Sequence, residues 1–279
     1  MPAVINTNLL SLNAQRNTAT NQASLASAVQ RLSSGLRVNS AKDDAAGLAI
    51  SERFSAQIRG GNVAIRNAND GISLAQTAEG ALSKVGDSLQ RLRELAVQAR
   101  NATNTTSDLD SIGQEFGQLT SEITRVLGGT TFNNKAILGA NAGALSFQIG
   151  ANTTANDSVT VTTTDLTADA TITAVTGTTI SNADTTATLK TAIDAIDSAL
   201  TTVSTQRAVL GAVQNRFDAI TSNLQVSVEN QTASRSRILD ADFAAETANF
   251  SRANILQQAG TAQIAQANQL PQQVLQLLR

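Results

Sequence analysis

The sequence predicts a mainly α protein: an elongated bundle of long helices packed as coiled coils, with one small β region and a short Thr-rich insert. Three observations support this. Apolar residues recur at offsets of three and four over most of the chain. Of 279 residues 41% are apolar but only 3% aromatic, so the core is Leu, Ile, Val and Ala, whose small side chains suit close helix packing. Alternation of apolar and polar residues, the signature of a half-buried strand, is seen around residue 147.

Leu25, Val29, Leu32 and Leu36 form an apolar stripe, which predicts a helix over about 5–35. Ser33-Ser34-Gly35 and Asn39-Ser40 interrupt it, and Ser40 with Asp43 reads as a capping pair that starts a second helix. Leu82, Val85, Leu89, Leu92, Ala96 and Ala99 carry coiled-coil spacing, and Gly60-Gly61 reads as a break upstream of them. A turn at 101–106 and a Ser107–Asp110 cap then predict an antiparallel partner through Ile112, Phe116, Leu119, Ile123 and Val126 to Gly128-Gly129.

Turn-like residues follow, and Leu145, Phe147 and Ile149 alternate with polar neighbours, so 131–150 is expected to be a β-hairpin. Residues 152–188 are dense in Thr, contain four Asp and no Lys or Arg, and read as a short β-rich or flexible surface insert. Helix resumes with Ile193, Ile196, Leu200, Val203 and Leu210, then Val213, Phe217, Ile220 and Leu224, and spans about 190–235. From Ala253 to Leu278 no residue is charged, yet glutamines recur. Ile255, Ile264, Leu270, Val274 and Leu278 give this segment an apolar side that assembly would hide.

Lys and Arg total 20 against 22 Asp and Glu, too balanced to neutralise a nucleic-acid backbone. With no Cys and no His, thiolate chemistry, the commonest metal ligands and the usual proton shuttle at neutral pH are all missing, so no enzyme, metal or cofactor is expected. Asp240 with Asp242, and Asp108 with Asp110, lack a third ligand and read as helix caps. Gly60-Gly61 and Gly128-Gly129 lack the Lys-Ser/Thr of a phosphate loop. Asn152-Thr-Thr154 and Asn156-Asp-Ser158 match glycosylation acceptors, but in so Thr-rich a stretch chance accounts for them. No run reaches the roughly 18 apolar residues of a membrane span, and the start lacks the basic and apolar regions of a Sec signal.

The stretch Leu32-Ser33-Ser34-Gly35-Leu36-Arg37-Val38-Asn39-Ser40-Ala41-Lys42-Asp43-Asp44-Ala45-Ala46-Gly47 closely resembles bacterial flagellin. So do residues 89–98 (LQRLRELAVQ), 236–243 (SRILDADF) and the terminus from Gln257-Gln258-Ala259-Gly260-Thr261 to Leu270-Pro271, with order and spacing kept over about 1–150 and 188–279. The resemblance implies a non-enzymatic filament subunit for swimming motility. Its N- and C-terminal helices, disordered in the free subunit, would pair inside a helical tube. The expected divisions are a terminal helix at 1–40, half of the bundle at 41–151, a reduced variable region at 152–188, a bundle helix at 189–238 and the second terminal helix at 239–279. Leu25, Val29, Leu32, Ile255, Ile264, Leu270, Val274 and Leu278 would then carry self-assembly.

By the same resemblance the subunit would leave the cell without a Sec signal, through the flagellar export apparatus with an export chaperone, and would meet filament cap and junction proteins. The 131–150 hairpin would take part in switching between packing states. Arg91, Leu95 and Glu115, with Arg93 nearby, would be contacts for a vertebrate Toll-like receptor. The hook–filament junction protein shares a similar terminal architecture and is the alternative. A zinc protease in the variable region is excluded by the lack of His.

Overall fold

The computed structural model describes the backbone of residues 7–277 and the side chains of 7–269. Two compact units make up the chain, Gln57–Glu229 and the pair of segments Met1–Ala56 and Asn230–Arg279. The helices are α1 (Leu9–Ser34), α2 (Ala45–Ala99), α3 (Thr106–Gly129), the short α4 (Ala170–Thr176), α5 (Thr186–Leu239) and α6 (Phe243–Leu277). Strands β1 (Thr131–Phe132), β2 (Lys135–Ala136), β3 (Ala144–Gln148) and β4 (Ser158–Thr162) and one turn of 3-10 helix (Ala155–Asp157) complete the described elements, and the fold is mainly α as the periodicity implies.

In the Gln57–Glu229 unit the core follows the expected seams. Leu82, Val85, Leu89, Leu92, Ala96 and Ala99 of α2 are all buried, against Ile112, Phe116, Ile123 and Leu127 of α3 and Ile196, Val203, Leu210 and Phe217 of α5. Helices α2 and α5 run antiparallel in a fixed register. The Arg93 guanidinium donates to Asp197 at 2.7 Å, and Arg207 donates to Glu79 at 2.7 Å.

Gly60-Gly61 does not break α2, which continues from Ala45 to Ala99. These glycines are instead places of close approach. A Cβ on Gly61 would lie 2.7 Å from Val228 Cγ2, and one on Gly60 2.6 Å from Ala151 Cβ. Gly71 plays the same part, for a Cβ there would lie 2.7 Å from the ring of Phe217. The helical cost of glycine, about 1 kcal/mol each, is accepted where a larger neighbour needs the room.

The caps also differ in detail from expectation. Asp43 accepts from the Ser40 amide and hydroxyl, both at 2.9 Å, which builds the turn ahead of α2 and holds its carboxyl below the ordinary range. Asp44 is the residue that caps α2, accepting from the Gly47 amide at 2.7 Å. Helix α3 starts from a Thr105–Asp108 capping box rather than from Ser107 with Asp110.

The hairpin expected at 131–150 is two separate pairings. β1 and β2 form a minimal hairpin whose turn residues Asn133 and Asn134 take positive φ, 47° and 60°, a conformation asparagine tolerates better than most residues. The alternating strand is β3, but its antiparallel partner is β4, from within the Thr-rich segment. That segment is therefore neither a loop nor a flexible tether. Val159, Val161, Leu166, Ile172, Val175 and Ile180 join the core, and the chain passes so close to α3 at Ile180 that Gly113 leaves no space for a Cβ. Its polar residues tie the turns: Asp157, Asp165 and Asp169 take hydrogen bonds from Thr154, Thr167 and Thr171, which hold all three carboxyls below the usual range.

Candidate functional site

Two surfaces carry the residues singled out by sequence. The first belongs to the unit formed by the two ends of the chain. Helix α1 begins at Asn8, whose side chain accepts from the Ser11 amide and donates to the Ala267 carbonyl at 2.8 Å, tying the start of α1 to the far part of α6. Gly35 ends α1 in the left-handed conformation at φ 70°. The following residues then lie along the α5–α6 junction. Leu36 bridges Asp240, the Arg37 amide and guanidinium donate to the carbonyls of Leu239 and Ile238 at 2.6 Å each, and the Ala241 amide donates to Gly35 at 3.0 Å. Asp242 caps α6 through the Ala244 amide at 2.9 Å.

Between these anchors α1 and α6 pair antiparallel along a heptad seam. Its α1 side is Ser11, Ala14, Thr18, Asn21, Leu25, Ala28 and Leu32, all buried or half-buried. Its α6 side is Glu246, Phe250, Ala253, Gln257, Gly260, Ile264 and Ala267. Leu25, Leu32 and Ile264, expected in assembly, lie partly covered in this seam, whereas Val29 and Ile255 stand outside it. Ile255 is 66% exposed, and Leu9, Leu10, Leu12, Leu256 and Phe243 are exposed large apolar side chains that the sequence reading did not select. The side chains of Leu270 and Val274, and Leu278 as a whole, lie outside the described residues.

The second surface is on the Gln57–Glu229 unit. Arg91 donates to Glu115 of α3 at 2.8 Å and to Glu94 at 2.9 Å, and these bonds push its pKa further above its usual value. Arg93 is raised likewise by its fork on Asp197. Arg91 is thus joined to Glu115 of α3, whereas Arg93 turns to α5, and all three remain exposed to solvent, where such pairs add little stability. Leu95 does not join them. It is 1% exposed, three residues after Leu92 on the same inward face, so a partner could touch it only by opening the core. Gln90, Glu94, Val97 and Gln98 line an open groove beside Arg93.

Comparison with known proteins gives the same picture from outside. Residues 5–142 match the bacterial flagellin N-terminal helical region, and residues 193–278 match the bacterial flagellin C-terminal helical region. The chain belongs to the bacterial flagellin family. A flagellin of Halalkalibacterium halodurans is 49% identical over 99% of this chain and all of its own length. One of Bacillus subtilis is 45% identical over 99% of each. A flagellar filament core protein of Brachyspira hyodysenteriae is 40% identical over 99% of this chain and all of its own. This flagellin is a structural subunit of the flagellar filament and not an enzyme. Among the described residues no helix is long and apolar enough to cross a membrane.

Proposed function

We propose that the paired terminal helices are the part of the subunit that drives filament growth, and that copies of the chain cover one another's α1 and α6. The observation that carries this is the division of labour on those helices: ten of the fourteen seam residues are small or polar, while Leu9, Leu10, Leu12, Val29, Ile255 and Leu256 are left in water. Burying one such side chain is worth about 1.5–3 kcal/mol. Ile255→Asp is therefore expected to slow elongation from filament seeds at least about tenfold, followed by light scattering and electron microscopy. Growth at the parental rate would remove Ile255 from the interface.

In the same reading the subunit reaches its place outside the cell through the flagellar export apparatus with an export chaperone, and meets the cap and junction proteins there. The free subunit is also a ligand of a host Toll-like receptor, through Arg91, Arg93 and Glu115. The support is the exposed Arg91–Glu115 pair and the groove that Arg93 lines with Gln90 and Val97. Because Arg91 and Glu115 bond each other, removing both leaves neither partner of that pair unpaired and the fold intact. The Arg91→Ala, Glu115→Ala double variant is expected to need at least about tenfold more protein for half-maximal receptor activation in reporter cells, the scale of losing one interface anchor. An unchanged dose curve would end the assignment.

A further inference from the structure

The α1/α6 seam poses a problem of specificity. Ser11, Ala14, Thr18, Ala28, Ala253, Gly260 and Ala267 are small and alike, and the larger seam residues recur at multiples of seven, Leu25 with Leu32 and Phe250 with Ile264, so the seam packs nearly as well after a slip of one heptad; a coiled coil takes its register from distinctive residues. The bonds of Gly35–Arg37 to Leu239–Ala241 and of Asn8 to Ala267 tie the two ends of the pair, and along the seam itself few candidates exist. Residues 9–34 contain two charges, Arg16 and Arg31, and residues 243–277 contain two, Glu246 and Arg252. Glu246 is thus the one carboxylate side chain that α6 can offer to α1. In the structure it accepts from Arg31 Nη1 at 3.1 Å, with the two side chains 33% and 11% exposed. Arg252 lines the same groove but donates to Asn249 on its own helix.

We propose that Arg31 and Glu246 are positioning residues that fix the register of the terminal pair, and with it the subunit's ability to enter the filament. In the observed register each charge also suits the helix end it occupies, since Arg31 sits in the last turn of α1 and Glu246 in the first turn of α6. A slip of one heptad carries the carboxylate away from Arg31 and leaves it largely desolvated with no cation, a state disfavoured far more than the pair itself is favoured. A polar pair of this kind selects among arrangements that apolar contacts do not distinguish.

The chain has no cysteine, so register can be read with an introduced pair. A Cβ at Gly260 would lie 3.7 Å from Thr18 Cβ, within disulfide reach, and a slipped helix would not keep it there. Thr18→Cys with Gly260→Cys is placed in four full-length chains: parental, Arg31→Glu, Glu246→Arg, and both reversals together. Each is oxidised with filament seeds present, and crosslinked fraction and elongation rate are measured. Each single reversal is expected to cut both readouts at least about tenfold. The double reversal is expected to recover most of both, short of parental because each new charge opposes its helix end. Single reversals that crosslink as the parent does, or a double reversal no better than the worse single, would overturn the proposal. The second result would assign the two residues to separate contacts.

Discussion

Replacing Phe217 with alanine is expected to destabilise the helical bundle by about 3–5 kcal/mol, the cost of emptying a large aromatic site in a packed core. The ring is fully buried, lies against the bare backbone of Gly71, and meets Phe147 of β3 edge-on at 5.6 Å and 79°. It therefore holds α5, α2 and the β3–β4 pair at one point, and an edge-to-face contact adds about 0.5–1.5 kcal/mol beyond burial. Against total stabilities of about 5–15 kcal/mol the loss is large. Urea denaturation of the whole chain, followed by circular dichroism, should show a much lower midpoint for Phe217→Ala and a smaller fall for Phe217→Leu, which keeps most of the volume. A change below about 1 kcal/mol for the alanine variant would mean the site collapses or the ring is not packed as described.

Removal of residues 1–35 or 250–279 is expected to abolish filament formation and leave a folded, soluble bundle. The core cluster runs from Ala68 to Phe217 and draws nothing from either end of the chain, so its seams survive both truncations. What is lost is one side of the α1/α6 pair together with its exposed apolar residues, Leu9, Leu10, Leu12 and Val29 or Ile255 and Leu256. Helical content per residue and a cooperative urea transition should persist, while seeded growth falls to background. A filament from either truncated chain would show that the ends are dispensable for assembly.

The parts of this fold that could be read in the sequence are those where large apolar residues mark the period. Leu82 to Ala99 and Ile196 to Phe217 lie as their spacing implies, because Leu, Ile and Phe at offsets of three and four leave a helix only one face to bury. The seam between α1 and α6 has the same period, but it is written mostly in Ser, Thr, Asn, Gln, Gly and Ala. The apolar pattern marks Leu25 and Leu32 in this seam, while Val29, one position past the buried Ala28, lies on the exposed side. The lone carboxylate of α6 was the signal available there, and it points to Glu246 only when both ends of the chain are considered together.

The remaining differences come from long-range geometry. Strand β3 was evident from its alternation, yet its partner β4 lies beyond an intervening turn of 3-10 helix, and a strand's own pattern does not name its neighbour. Gly60-Gly61 looked like a break because their packing partners, Ala151 and Val228, are distant in sequence. Arg91, Arg93 and Glu115, named by family likeness, are exposed, with Arg91 bonded to Glu115 and Arg93 to Asp197. Leu95 is buried, since Leu92 three residues earlier already turns that phase of α2 inward.

The ordered, Thr-rich segment has a practical corollary for anyone mapping this protein chemically. Between Lys135 and Lys190 there is no basic side chain, and the charge-poor end of α6 offers none between Arg252 and Arg279. A protease that cuts after Lys and Arg thus releases residues 136–190 and 253–279 each as one long peptide. Any sugar carried on the many threonines of β4 and α4 would travel on a single fragment, and locating it calls for an enzyme that cuts at aspartate or at aliphatic residues.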